Sequence, residues 1–434
     1  MSPLMVGGIG MIALLVLMGL GLSIGATMML IGFLGLCILI SPAAAFSKFG
    51  IIPFEFVSSY DYAVIPMFIL MANVILVSGL GTDLFNIASK WLGRFGGGMA
   101  MATTAACAGF AAISGSGLTT ALTIGSTALP EMKRYNYDTH FSAAVIAASG
   151  TIGLLIPPSA ALMVYGIVTG NSIKSLFMAG FIPGITQALF YIVLIAFLTK
   201  KWPHIGPSSG VKTTFKEKLG SLKQGGEVLT LIVFVFVGML LGWFTPTEAG
   251  AMGVTGGLVI TIARRRMDWQ RFKTAIIDTI KVSGMYYVIL MGAQVFMYFS
   301  TVTTFPTVVA EAVGGLSLPP MMIMVVIILI YMVLGCFMSG NAMMMLTIPI
   351  FYPLILELGF HPIWFGVILT RVTEIGQLTP PVGLVVYSMP ALDDKLQVHK
   401  IFKWTAPFVG ADFVHTIMML LFPGIVLFLP NLVG

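Results

Sequence analysis

The feature that most constrains this chain is a series of apolar runs, most of them about 20 residues long, that follow one another along the whole sequence. A run of that length matches the hydrocarbon thickness of a bilayer when it forms an α-helix. Of the 434 residues, 58% are hydrophobic and 9% are charged, whereas soluble domains carry about 25% charged residues. The chain is therefore predicted to be one all-α polytopic membrane protein rather than a set of soluble domains.

Turn and charge signals divide the apolar sequence into predicted spans. These lie near residues 5–20, 22–40, 61–80, 141–168, 175–199, 227–243, 247–263, 275–300, 360–388 and 406–430. Two further stretches, 97–130 and 318–355, have Gly and Ser clusters in their middles. Each is predicted to be a re-entrant helical hairpin of two half-crossings. Non-helical backbone survives at membrane depth only where protein or water surrounds it.

Two parts of the chain repeat. Residues 151–158 read TIGLLIPP and residues 374–381 read EIGQLTPP, and a small-residue tip precedes each of them, Ser114-Gly115-Ser116 and Ser339-Gly340-Asn341. The predicted division is N-terminal scaffold spans at 1–60, a first repeat at 61–199, a basic loop with scaffold spans at 200–274, a second repeat at 275–405 and a C-terminal span at 406–434. Each repeat holds one hairpin and one helix broken at Gly and Pro-Pro, at 141–168 and 360–388.

The basic residues predict the orientation, because cytoplasmic loops are enriched in Lys and Arg. If the first span runs inward and each hairpin returns to its starting side, 19 of the 22 basic residues face the cytoplasm. Both termini are then periplasmic, and the two repeats are inverted relative to each other. The net charge of +6 is explained by these loops, so no nucleic-acid partner is expected.

The two helix breaks are predicted to form a binding site. A proline pair removes backbone donors and disfavours helix before it, which frees carbonyls around 153–156 and 376–379. With hydroxyl groups of Thr151 or Thr373, such oxygens suit a monovalent cation such as sodium. The half-helix after each break presents N–H groups that favour a carboxylate. Inverted repeats with matching broken helices are typical of secondary transporters. Ser and Gly also occur at packed helix interfaces, and Pro-Pro alone could be a kink.

Ionisable residues within spans are candidates for function. Arg371 and Glu374 are three residues apart and can pair on one helix face; a structural pair and a gate or substrate contact both remain open. Asp412 and His415 could pair on the final span, for packing. Glu248 follows Thr245 by three residues and indicates a helix start.

Several motifs together resemble one transporter family across essentially the whole chain. They are the SGSG tip followed by ALPEMK at 128–133, AASGTIGLLIPPS at 147–159, TPTEAGAMG at 245–253 and TEIGQLTPPVG at 373–383. The chain resembles the large membrane subunit of tripartite ATP-independent periplasmic (TRAP) transporters, the DctM-like large permease.

This resemblance implies sodium-coupled import of an organic acid, such as a C4-dicarboxylate or a sialic acid, in the bacterial inner membrane. It implies an elevator-type ion-transporter-like fold, an extracytoplasmic binding protein and a small four-helix subunit as partners, besides lipid. Because the first span begins at the N-terminus, we expect the small subunit to be a separate chain. No cofactor is expected other than Na⁺ as coupling ion.

Carried onto this chain, the resemblance and the repeat give a set of candidate site residues. The predicted sodium ligands are Ser114, Gly115, Ser116, Thr151, Gly153, Ser339, Gly340, Asn341, Thr373, Gly376 and Thr379. The predicted substrate contacts are Ser116, Pro157, Ser159, Asn341, Pro380 and Arg371. The second tip is Ser-Gly-Asn rather than Ser-Gly-Ser, which places the equivalence of the two sites in question.

Three other classes of membrane protein are alternatives to a TRAP permease. A membrane enzyme would need a nucleophile with a base or a metal centre, and the sequence has no HExxH or Walker motif. A channel fits inverted, occluding hairpins less well than alternating access does. A sodium/anion symporter that works without a binding protein differs from the favoured prediction only in the family motifs.

Overall fold

The computed structural model describes residues 2–210, 214–314 and 318–433. The α-helices in these ranges are α1 Pro3–Gly19, α2 Ile24–Leu39, α3 Pro42–Ser58, α4 Val64–Val77, α5 Leu80–Leu92, α6 Gly98–Ser114, α7 Gly117–Arg134, α8 Thr139–Thr151, α9 Ala160–Thr169, α10 Ile173–Lys201, α11 Phe215–Leu240, α12 Pro246–Ala263, α13 Trp269–Val302, α14 Phe305–Gly314, α15 Pro320–Phe337, α16 Gly340–Glu357, α17 Pro362–Leu378, α18 Leu384–Ser388, α19 Val398–Leu421 and α20 Gly424–Val433. Short 3-10 turns supplement them, and the described residues contain no strand. The predicted all-α class is confirmed.

Within the described ranges, six helices are long and apolar enough to cross a membrane, or seven if the bent helix α11 counts as one span. Two of the six are α15 and α16, which have 18 residues each. A helix of 18 residues is about 27 Å long. The arms of the second hairpin therefore have the length of full spans, which is longer than the half-crossings expected from the sequence.

The order of elements from α4 to α10 recurs from α13 to α19. In both units, two helices precede a hairpin, a helix broken into two parts follows it, and a long helix ends the unit. The hairpins are α6 with α7 and α15 with α16, and the broken helices are α8 with α9 and α17 with α18. In this order α19, expected to lie in a separate C-terminal span, is the counterpart of α10.

Glycines allow very close packing of α2 on α13. A Cβ atom added to Gly292 would lie 2.2 Å from the carbonyl oxygen of Gly25, and one added to Gly32 would lie 2.9 Å from the backbone nitrogen of Phe296. Small residues of this kind let helix backbones approach each other where lipid supplies no hydrophobic driving force. The α2–α13 pair, which also contacts α4, forms a tightly packed layer beside the two hairpins.

Three helices were missed in the sequence. The predicted spans omitted α3, α5 and α14. Helix α3 carries Lys48 and Glu55, and α5 is amphipathic rather than uniformly apolar. The predicted last span is interrupted after Leu421, so that α19 and α20 are separate helices. The predicted helix start at Glu248 is confirmed, since its backbone N–H and the Thr245 side chain form a capping box. Lys212 of the basic loop lies outside the described residues.

Candidate functional site

In the first unit, the hairpin tip packs directly on the broken helix. Gly115 has φ +59°, and a Cβ atom there would lie 2.4 Å from the carbonyl oxygen of Pro158. The backbone N–H of Ala160, the first residue of α9, donates to the carbonyl of Gly115 at 3.1 Å. Only glycine tolerates this combination of positive φ and close approach. The tip between α6 and α7 is thereby fixed at the start of α9.

The hydroxyl groups of the first tip are hydrogen-bonded within the unit. Ser114 Oγ lies 2.5 Å from Thr120 Oγ1, and Ser116 Oγ accepts a hydrogen bond from Thr119 Oγ1 at 3.2 Å. A Cβ atom at Gly153 would lie 2.9 Å from the carbonyl oxygen of Ser116. The structure thus brings the predicted residues of the tip and of the break together. Sequence reasoning missed Thr120, although it lies one helical turn after Ser116.

Two other predicted residues of this unit have their hydroxyl groups bound to the backbone. Thr151 Oγ1 donates to the carbonyl of Ala148 at 2.8 Å. Ser159 donates to the carbonyl of Leu154 and also accepts from the backbone N–H of Leu162 at the start of α9. Both side chains are fully buried. The carbonyl of Leu154, expected to be free for a cation, is therefore occupied by Ser159 in this conformation.

In the second unit, the hairpin packs on α17 in a related way. A Cβ atom at Gly340 would lie 2.2 Å from Thr373 Cγ2, and one at Gly376 would lie 2.6 Å from the backbone of Gly335. The amide nitrogen of Asn341 donates to the Tyr286 hydroxyl at 2.6 Å. The predicted residues Gly340, Thr373 and Gly376 therefore meet at one hairpin surface.

The second break begins later than the sequence indicated. Helix α17 continues to Leu378, so Gly376 lies inside it, and its carbonyl accepts from the backbone N–H of Thr379 at 3.2 Å. The hydroxyl of Thr379 donates to the carbonyl of Ile375 at 2.6 Å. The backbone break spans 379–383. It starts later because proline restricts only the residue directly before it, here Thr379. Both Pro-Pro peptide bonds, at 157–158 and 380–381, are cis.

The two breaks differ in exposure. Residues 151–159 are all buried, and Pro157 and Pro158 line a small apolar cavity together with side chains of α4, α6, α10 and α11. Pro380 and Pro381 are exposed, as is Ser339 at the second tip. The conformation described here therefore covers the first break and leaves the second one open.

In this conformation a substrate could not reach Arg371, which was predicted to contact it. Arg371, Glu374 and Asp412 are fully buried. Arg371 Nη1 donates to Glu374 Oε2 at 2.5 Å, and Nη2 donates to Asp412. The predicted Arg371–Glu374 pair is present, but Asp412 joins it instead of pairing with His415, whose Nε2 lies 2.8 Å from Thr186 Oγ1.

An ion pair connects the end of α7 in the first unit with the segment after α18 in the second unit. The Lys133 ammonium near the end of α7 donates to Asp393, in the segment after α18. This hydrogen bond is the main cause that lowers the pKa of Asp393 below its ordinary value, with a smaller contribution from the backbone N–H of Lys395.

Comparison with known proteins tests the family resemblance. The sequence model of the tripartite ATP-independent periplasmic transporter, DctM component, matches residues 11–425. The chain belongs to the DctM family. It is thus a TRAP transporter large permease, and together with its apolar helices this makes it a multi-pass protein of the bacterial inner membrane.

Relatives within the DctM family are permeases for different organic anions. The C4-dicarboxylate TRAP transporter large permease protein DctM of Pseudomonas aeruginosa is 32% identical over 88% of each chain. The sialic acid TRAP transporter large permease protein SiaM of Vibrio cholerae is 29% identical over 87% of each chain. The isethionate TRAP transporter permease protein DctMQ of Oleidesulfovibrio alaskensis is 33% identical over 87% of this chain, which covers 59% of that protein.

A solved structure supports the fold of this DctM-family chain. The crystal structure of the Alcanivorax borkumensis YdaH transporter superposes with a TM-score of 0.59 over 83% of this chain and 85% of that one. Only 15% of the residues are identical. The likeness therefore concerns the architecture.

Proposed function

We propose that this chain is the sodium-coupled permease of a TRAP transporter that imports an organic anion, a carboxylate such as a C4-dicarboxylate or a sialic acid. The observation that carries the proposal is the family match over residues 11–425. Relatives of this chain are named for C4-dicarboxylates, sialic acid and isethionate. These substrates share a carboxylate or sulfonate group, so the shared chemistry is recognition of an organic anion.

The arrangement of helix ends supports an anion site at the breaks. In the first unit, α7 starts at Gly117 and α9 starts at Ala160, and both starts lie at the same hairpin tip. Helix N-termini present unpaired N–H groups and the positive end of the helix dipole. The N-termini of α16 and α18 are the corresponding ends in the second unit. A carboxylate bound among these ends would need no lysine or arginine side chain.

Sodium coupling is proposed from the oxygen atoms at the two tips. Asn341 Oδ1 is buried and has no hydrogen-bond partner among the described residues. At the first tip, the Ser114 hydroxyl is hydrogen-bonded to that of Thr120, and the Ser116 hydroxyl to that of Thr119. Hydroxyl and amide oxygens of this kind are ligands for a hard cation. We assign the coupling ions to these two tips, Ser116 and Asn341 being the paired residues.

Alternating access would then proceed by movement of the hairpins and broken helices against the layer of α2, α4 and α13. The unequal exposure of the two breaks supports this, because alternating access opens a binding site at the repeat interface to one side of the membrane at a time. In the proposed topology both termini face the periplasm. A small membrane subunit and a periplasmic binding protein complete the transporter.

Reconstituted transport tests the proposal. The purified chain with its small subunit is placed in liposomes, and uptake of a labelled acid is measured with and without the binding protein, and with sodium or choline outside. Uptake that requires both the binding protein and sodium is the expected result. Uptake with sodium but without the binding protein would favour a stand-alone sodium/anion symporter, and uptake with neither would contradict the proposal.

A further inference from the structure

The connection between α12 and α13, together with the first turns of α13, concentrates basic side chains. Helix α12 ends at Ala263 and α13 begins at Trp269. The basic residues of this region, called the basic corner below, are Arg264, Arg265, Arg266, Arg271, Lys273 and Lys281. None of them belongs to the proposed binding site at the hairpin tips. The inference below rests on the chain being a membrane protein and not on its proposed function.

Four of these six cations are paired with acidic side chains. Arg264 and Arg266 donate to Asp83 of α5 at 3.1 and 2.7 Å. Arg264 also donates to Glu227 of α11 at 2.8 Å. The other two pairs are Arg271 with Asp268, at 3.6 Å, and Lys281 with Asp278, at 3.8 Å. The charges of these four cations are therefore balanced within the protein.

The remaining two cations, Arg265 and Lys273, have no acidic partner among the described residues. Both side chains are exposed. Arg265 has φ +54°, whereas Arg264 has φ −82°. This change of backbone conformation occurs between two arginines that bind Asp83, and Arg265 itself does not share that contact. Two cations of the basic corner are thus available to an anion from outside the chain.

The length of α13 places the basic corner at the surface of the bilayer. Helix α13 has 34 residues and is about 51 Å long, which exceeds the hydrocarbon thickness of about 30 Å. Its charged residues all fall between Arg271 and Lys281, and residues 282–302 carry no charge. The uncharged part alone is about 31 Å long and fills the hydrocarbon layer. The first turns of α13 therefore lie at the level of the lipid headgroups or beyond them.

One face of these first turns combines exposed apolar side chains with Lys273. Trp269 is 75% exposed and Ile280 is 65% exposed. Trp269, Lys273, Ile277 and Ile280 follow one another at intervals of four, four and three residues, so they share a face of the helix. Tryptophan and lysine at the end of an exposed apolar face are typical of the headgroup level, where the apolar part of each side chain meets lipid and its polar end meets water.

The end of α12 shows the same succession of features. Val259 and Ile262 are each 61% exposed, and Arg265 follows Ile262 by three residues. Because α12 and α13 are joined by a short connection, their apolar faces end at the same corner. Arg271 Nη1 donates to the carbonyl of Arg266 at 2.6 Å and so holds the start of α13 against the end of α12. Each of the two helices thus has an exposed apolar face with one unpaired cation at its end.

We propose that Arg265 and Lys273 bind the phosphate of an anionic phospholipid, whose acyl chains lie along the exposed apolar faces of α12 and α13. Anionic lipids attract basic residues that lie next to a membrane-spanning helix, and Trp269 lies beside these two cations at the headgroup level. Free phosphate would gain nothing from the apolar faces. A zwitterionic headgroup would bring an ammonium group close to the two cations. An acidic protein segment could meet the same cations, but the exposed apolar side chains on both helices favour a lipid.

Photochemical labelling in liposomes tests the proposal. The full chain, with any subunit that co-purifies with it, is reconstituted in phosphatidylcholine that contains a trace of photoactivatable phosphatidylglycerol or, in parallel, of photoactivatable phosphatidylcholine. Labelled peptides are then identified by mass spectrometry. We expect residues 259–280 to be labelled preferentially by the phosphatidylglycerol probe. This preference should fall about fivefold in Arg265→Gln and in Lys273→Gln, because each variant removes one basic contact.

Two further variants serve as controls. Lys273→Arg keeps the positive charge and should keep the preference for phosphatidylglycerol. Arg134→Gln removes an exposed cation from the end of α7 and should also keep it. All four variants change exposed side chains, so their melting temperatures should match that of the wild type.

Equal labelling of residues 259–280 by the two probes in the wild type would overturn the proposal. An equal loss of preference in Arg134→Gln would also overturn it, because only the total charge would then matter. Inorganic phosphate in the buffer should not reduce the labelling beyond the effect of sodium chloride at the same ionic strength, and a specific reduction would assign the two cations to a free anion. A corner that neither probe labels, and that cross-links to a co-purifying subunit, would be a protein contact instead.

Discussion

The side-chain amide of Asn341 donates a hydrogen bond to the hydroxyl of Tyr286 at 2.6 Å. This bond joins the second hairpin to α13, which lies outside the hairpin and the broken helix. Because the nitrogen faces Tyr286, the amide oxygen points away from it and has no partner among the described residues. The equivalent residue in the first unit, Ser116, instead caps its own helix α7 by accepting from the backbone N–H of Thr119. The two related tips are thus positioned by different contacts.

Replacement of Tyr286 by Phe should weaken sodium activation of uptake. Without its acceptor, the Asn341 amide loses the bond that orients its oxygen, which is worth about 1 kcal/mol, or about a fivefold change in apparent sodium affinity. The maximal rate should be retained. Tyr287→Phe is the matched control, since the hydroxyl of Tyr287 donates to the carbonyl of Tyr62 at 3.1 Å, away from the tip. Equal sodium affinities in the two variants would show that Tyr286 does not position Asn341.

A serine-to-alanine change at the first tip should also reduce the sodium response. Ser116→Ala removes a hydroxyl from the proposed ion site and a cap from α7. Loss of one contact between this hydroxyl and the sodium ion, worth about 1.5 kcal/mol, should raise the sodium concentration for half-maximal uptake about tenfold. Ser126→Ala changes an exposed serine of the same helix, whose hydroxyl bonds to the carbonyl of Thr123, and should leave the curve unchanged. An unaltered sodium curve in Ser116→Ala would remove this residue from the site.

A methyl group at Gly376 should destabilise the second unit. The added Cβ atom would lie 2.6 Å from the backbone of Gly335 and would push α15 away from α17. Overpacking of this kind costs about 1–3 kcal/mol, which should lower the melting temperature of the purified protein. Gly410→Ala on α19, where no heavy atom lies within 4 Å, provides the control and should be neutral or slightly stabilising. Equal melting temperatures for the two variants would contradict the close α15–α17 contact.

The ion pair between Lys133 and Asp393 should make stability depend on pH in the acidic range. Its hydrogen bond lowers the pKa of Asp393 in the folded protein, so the folded state binds fewer protons than the unfolded chain below the ordinary aspartate value of about 3.9. The pair therefore stabilises the protein above that pH and loses its effect as the pH falls through the folded-state value. Asp393→Asn should melt below the wild type at neutral pH, and the difference should disappear on acidification. A difference that stays constant down to acidic pH would have another cause.

The sequence contained enough information for the repeated unit but not for its details. The two passages with a glycine followed by a proline pair, and the small-residue tips, predicted two hairpins and two broken helices, because proline and glycine have strong local effects on backbone conformation. The continuation of α17 through Gly376 differs from the prediction because proline restricts only the residue directly before it, and Gly376 packs closely on Gly335 within the continued helix. Helix α5 was missed for a different reason, because an amphipathic helix does not form a uniformly apolar run.

Contacts between distant parts of the chain were the least predictable. The sequence indicated that Asp412 could pair with His415 for packing, since the two residues are three positions apart on one helix. The structure pairs it with Arg371, 41 residues earlier in the sequence. One signal was available: Arg371, Glu374 and Asp412 all lie within apolar segments, and buried charges require partners. Tyr286 carried no such signal, because a tyrosine in an apolar helix is ordinarily a packing residue.

Sodium movement driven by the substrate tests the central proposal most directly. Liposomes that contain the transporter are loaded with sodium-free buffer, and radioactively labelled sodium is added outside. Sodium entry is then followed with and without the acid and its binding protein. Coupling is reciprocal, so the account predicts that the acid increases sodium entry and that Ser116→Ala reduces this increase. Accumulation of the acid inside the liposomes with no accompanying entry of sodium would contradict it.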